Sequence, residues 1–175
     1  MPDLARLQKL SVVLYWVALV LSVVLPLIVL VHAGKGISEP ASLLSRVAVP
    51  AGTPVSTPQA GLVAIVALIS VLPMVAALRG MVRLFAAYRN GDILSEANAS
   101  TILRIGRNLL LVAVFTLLVP TLQTLILSWN AAQKTLSIGI DGGTLGFLMA
   151  AGLLTVIGYA MGEAARIKAE NEGFV

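Results

Sequence analysis

Four stretches of this chain, 10–33, 60–78, 109–128 and 145–162, contain no Asp, Glu, Lys or Arg. Each approaches or exceeds the roughly 20 apolar residues that a helix needs to cross the hydrocarbon core of a bilayer. A helix suits that setting because it pairs its own backbone N–H and C=O groups where no water can. The composition agrees, since 58% hydrophobic and 11% charged residues in a chain of 175 make it more apolar than an ordinary soluble domain. The expected fold class is an all-α integral membrane protein with four transmembrane helices, one membrane domain over 1–175.

Basic residues cross a bilayer poorly and stay on the cytoplasmic side, so their placement sets the threading. Five of the twelve lie in the connector 79–108, namely Arg79, Arg83, Arg89, Arg104 and Arg107. With Arg6 and Lys9 ahead of the first span and Arg166 and Lys168 in the tail 163–175, nine fall on one side. Lys35, Arg46 and Lys134 fall on the other. Both termini are therefore expected in the cytoplasm, and the setting expected is a bacterial inner membrane. The net charge of +4 is explained by this placement, and no direct nucleic-acid binding is expected.

The connector reads as two helical arms around Asn90-Gly91-Asp92. Leu78, Met81, Val82, Phe85 and Tyr88 recur at helical spacing, while Arg79, Arg83 and Asn90 take another side. Gly91 permits a reversal, and Ser95 followed by Glu96 is a helix start, a hydroxyl to cap free amides and an acid in the first turn. In the second arm Ile102 and Ile105 share one face, and Thr101, Arg104 and Asn108 turn to another. Spans two and three are thus expected to extend as one cytoplasmic helical hairpin.

On the outer side, Gly34 to Gln59 holds four prolines and reads as a loop with a short extended piece at Arg46 to Val49. The loop Asn130 to Thr144 carries LSIGID, whose alternation is a weak strand signal. A cleaved signal peptide ending near Val31-His32-Ala33 competes with a retained first span, but signal cores run only about 7–15 residues. Gly142, Gly146 and Ala150, then Gly158 and Gly162, repeat every four residues, a spacing that lets helix backbones approach and offers span four a neighbour or a second copy of the chain.

Little points to chemistry. The spans lack the ionisable groups that ion-coupled transporters use as relays. Their polar groups, Ser22, Ser70, Thr116, Thr121, Gln123, Thr124, Thr155 and Tyr159, are expected to bond between helices. Pro26, Pro73 and Pro120 each interrupt a span and could bend it. His32 is the one histidine and there is no cysteine, so it has no His or Cys to share a metal with, and no Ser/His/Asp set that it could complete is found. No enzyme activity, cofactor or metal is expected. Asn98-Ala99-Ser100 matches a glycosylation sequon but falls in the connector.

The run Gly91-Asp92-Ile93-Leu94-Ser95-Glu96-Ala97-Asn98, then Leu103-Arg104-Ile105-Gly106, resembles the signature of the bacterial membrane family called domain of unknown function 2975. So does Glu163-Ala164-Ala165-Arg166-Ile167-Lys168-Ala169-Glu170-Asn171-Glu172. That family often has an aromatic residue where Leu94 stands and Glu where Ala97 stands, and its ending differs from Gly173-Phe174-Val175. The resemblance implies a small four-span protein paired with a helix-turn-helix regulator. It makes Asp92, Ser95, Glu96, Asn98, Arg104, Arg107, Arg166, Lys168, Glu170 and Asn171 candidate docking residues for a cytoplasmic DNA-binding signalling partner. The alternative is a small transporter, channel or lipid-interacting protein, marked by convergence of Gln123 and Thr116 on one solvent-reachable cavity.

Overall fold

The computed structural model describes residues 2–47, 49–50, 53–93, 95–131, 139 and 141–172. Its elements are α1 (Pro2–Ser38), a short 3-10 helix (Pro40–Arg46), α2 (Thr57–Arg89), α3 (Glu96–Leu127) and α4 (Gly142–Glu172). No strand occurs among the described residues, and all four α-helices are long and apolar enough to cross a membrane. Their outer surfaces suit lipid: Val13, Trp16, Val20 and Val23 of α1, Leu62 and Leu72 of α2, and Met149 and Val156 of α4 are all exposed. So much exposed apolar surface is foreign to a soluble monomer and marks a multi-pass membrane protein.

Each helix packs on its neighbour in sequence, α1 on α2, α2 on α3 and α3 on α4. The core lies between α2, α3 and α4, where Ala77, Leu84, Ile102 and Ile105 are buried with Met81, Leu154 and Met161 against them. Small residues set the distances there. A Cβ on Gly158 would lie 2.7 Å from the Leu103 backbone nitrogen, and one on Gly106 would lie 2.8 Å from that of Thr155. The α3 and α4 backbones therefore touch directly, as small residues allow in membranes. Gly158 and Gly162 of the repeating pattern face α3, whereas Gly142 and Gly146 have open space beside them and Ala150 is exposed.

Three expected boundaries shift. The first helix does not end at Ala33 but runs to Ser38, the Glu39 N–H still donating to the Lys35 carbonyl (2.8 Å) and Gly36 seating Leu43. Arg46 is not extended; it closes the 3-10 helix that Pro40 opens, and extended backbone begins at Val47. The second helix starts at Thr57 rather than Ala60, because Pro58 sits in its first turn, where its fixed φ and missing N–H cost nothing. The LSIGID strand signal falls mostly on 136–138 and Ile140, outside the described residues. Asp141 instead caps α4, its carboxylate accepting from the Thr144 N–H (2.6 Å), a bond that holds its pKa below the usual value.

The helices continue through Pro26, Pro73 and Pro120. The span hydroxyls correct an expectation: Ser22, Ser70, Thr116, Thr121, Thr124 and Thr155 all donate to carbonyls three or four residues back on their own helix. A hydroxyl within reach of its own helix carbonyl has less need of a neighbour.

Candidate functional site

The turn between α2 and α3 is built from backbone bonds outward. Gly91 takes φ +83, the left-handed conformation that glycine adopts without strain. The Asp92 N–H then donates to the Ala87 carbonyl (3.1 Å) and the Gly91 N–H to that of Tyr88 (3.1 Å), a Schellman motif ending α2. Ser95 starts α3 as expected, accepting from the Asn98 N–H (3.3 Å) while donating to the Asp92 carboxylate (3.0 Å). Asn98 is only 5% exposed and donates to the Asp92 carbonyl (2.8 Å). Of the candidate docking residues, Asp92, Ser95 and Asn98 thus form one cluster that shapes the turn, with Asn98 pointing inward and Glu96 exposed beside it.

The tail of α4 stands next to this turn. A Cβ on Gly162 would touch Ala99 in ordinary contact, Met161 packs on the core and Ala165 is buried. Beyond it Arg166 pairs with Glu163 (2.7 Å) and Glu170 (3.6 Å), both within the helix and exposed. Lys168 is exposed, and Asn171 lies in the last turn, its side chain outside the described set. Arg107 reaches Tyr159 of α4 at 3.5 Å, an interhelical bond to one of the expected span groups. On the far side of α2, the Arg89 guanidinium lies 5.5 Å above the Tyr15 ring of α1, a cation–π contact that brings the N-terminal end of α1 to the turn. The turn, the N-terminal end of α1 and the α4 tail therefore share one end of the molecule.

Arg104 belongs to a different constellation. Among the described residues it bonds within α3 alone, to the Ser100 carbonyl (3.4 Å) and hydroxyl (3.2 Å). Its side of α3 meets the Arg79 and Arg83 side of α2 across a pocket of about 280 Å³, floored by Gly80 and Ile105 and edged by Thr101 and Asn108. The two polar faces were visible in the spacing of each helix, but not that they face each other.

At the opposite end Gln59 is buried, and its amide spans α2 to α3 by donating to the Ile126 carbonyl (2.8 Å). Its oxygen accepts from the Ser56 N–H (2.8 Å) and from the Asn130 amide (3.2 Å). Nearby, His32, Ala60, Ala64 and Gln123 help to line an apolar pocket of about 180 Å³ between α1, the 3-10 helix, α2 and α3. Thr116 does not line it, so Gln123 and Thr116 do not converge. His32 Nδ1 lies 2.8 Å from the Ile28 carbonyl of its own helix.

Comparison with family models, with curated proteins and with solved structures yields no match.

Proposed function

We propose that α2, the 90–95 turn and α3 form a helical hairpin whose closed end faces the cytoplasm of a bacterial inner membrane, with both termini on that side. There it docks a cytoplasmic helix-turn-helix regulator, acting by binding rather than by catalysis. The observation that carries this reading is the packing of the α4 tail beside the turn, through Gly162 on Ala99 and the buried Ala165. That packing sets Glu96, Arg166, Lys168 and Glu170 on one exposed polar end, while Asp92, Ser95 and Asn98 hold the turn that presents them. The excess of basic residues at this end supports its cytoplasmic side, and the residues shared with the domain of unknown function 2975 family support the kind of partner.

The test is affinity capture of the tagged protein from its native membrane in mild detergent, with a deletion of 163–175 and Arg104→Ala run in parallel. Recovery of a helix-turn-helix protein that the tail deletion loses is the expected outcome. Recovery of that protein by the tail deletion at the full level would remove the tail from the surface. Recovery of none would end the docking reading.

A further inference from the structure

The helices are staggered along the bundle axis, and the stagger places charge where it is not expected. Gly158 meets Leu103 and Thr155 meets Gly106, so the level of Arg104 on α3 is the level of Val156 and Ile157 on α4. Both of those side chains are exposed and apolar. On the other flank, Arg89 lies over Tyr15, and α1 runs antiparallel from there past exposed Val20 and Val23. The groove of Arg79, Arg83 and Arg104 is therefore level with apolar surfaces of α1 and α4 that belong in lipid. Topology alone asks for positive charge near a span end; it does not ask that three arginines from two helices converge on one pocket.

Among the described residues these charges lack counterions: no carboxylate pairs with Arg79, Arg83 or Arg104, and Arg79 and Arg83 have no hydrogen-bond partner. Asn108 uses one amide hydrogen on the Arg104 carbonyl and keeps a second. Guanidinium groups held together at the edge of an apolar medium call for an anion, and their planar donor pairs match phosphate oxygens. The helical register continues the groove into apolar surface: Leu72, one turn from Ala76 on α2, and Leu111, one turn from Asn108 on α3, are exposed.

We propose that this groove binds the phosphate group of an anionic phospholipid, with Arg79, Arg83 and Arg104 holding the headgroup and the acyl chains lying along Leu72 and Leu111. A net negative lipid is required, because a choline would bring a fourth positive group to three uncompensated ones. The proposal needs only the membrane-spanning helices and stands apart from the docking of a regulator.

The full chain in mild detergent is titrated with phosphatidylglycerol, phosphatidylcholine or inorganic phosphate, and binding is read by native mass spectrometry and by the shift in thermal unfolding midpoint. Phosphatidylglycerol is expected to bind at least about tenfold more tightly than either alternative, at about fivefold per arginine contact. The double substitution Arg79→Gln with Arg104→Gln is expected to remove that preference, Arg83→Gln to reduce it, and Arg166→Gln, at an exposed ion pair, to leave it unchanged. Equal binding of the two lipids would overturn the proposal, and that arm needs no variant to fold. Inorganic phosphate binding as tightly as the lipid would overturn it in favour of a free anion. An unchanged lipid preference in the double variant would also overturn it.

Discussion

The two ends of the α2–α3 pair are held by different means. Near the turn, helices touch through glycines and through Ala77, Leu84, Ile102 and Ile105, with almost no polar bond between them. At the other end Ala60, Thr124, Leu127 and Ser128 are buried, the Gln59 amide ties α2 to α3, and an apolar pocket of about 180 Å³ lies between α1, α2 and α3. Close packing has no partial state, since a backbone contact is either made or lost. A single amide bond can break and reform. The α2–α3 contact at the turn end therefore rests on packing, and that at the far end on packing and a polar bond together.

The strongest challenge to this contrast is Gly158→Val. The new side chain would strike the Leu103 backbone, which cannot rotate away, and a loss of about 3 kcal/mol is expected in unfolding from detergent micelles. Gly146→Val, with nothing within 4 Å, should leave that stability unchanged. Equal losses from the two would erase the distinction between the ends.

Gln59→Leu tests the far end. It removes a bond from α2 to α3 and is expected to cost about 1–2 kcal/mol by the same assay. Hydrogen exchange should rise around Ile126 and not around Ile102. An equal rise at both would mean that the ends do not behave separately.

Smaller effects sharpen the picture at the turn. Ser95→Ala deletes the α3 cap and should cost about 1 kcal/mol, with Ser95→Asn restoring most of it. Arg166→Ala removes exposed pairs within α4, and a change of no more than about 0.5 kcal/mol is expected, vanishing in high salt. A larger or salt-independent change would show that Arg166 supports the packing of the tail itself.

What was legible in the sequence was what a single helix decides for itself. The four apolar runs, the glycine at Gly91 and the Ser95 cap depend on neighbours within a few positions, and the structure bears them out. Pro58 misled because the same residue punctuates loops and opens helices, and only Gln59 folding back on Ser56 tells the two apart. The arginine groove was half legible: Arg79 with Arg83 and Thr101 with Arg104 and Asn108 each mark a polar face. Their meeting depends on the rotation of α2 against α3, which Gly80 sets by seating Ile105. The stagger that brings them level with apolar α1 and α4 comes from long-range contacts that no local pattern carries.

The central claim is that the turn end and the far end lie on opposite sides of a membrane, the turn inside. The chain contains no cysteine, so single substitutions Asn90→Cys and Gly139→Cys give unambiguous reporters at exposed positions of the two ends. Spheroplasts carrying each variant are treated with a membrane-impermeant maleimide before and after permeabilisation. The expected result is labelling of Gly139→Cys on intact spheroplasts and of Asn90→Cys only after permeabilisation. Labelling of Asn90→Cys on intact spheroplasts would contradict the account.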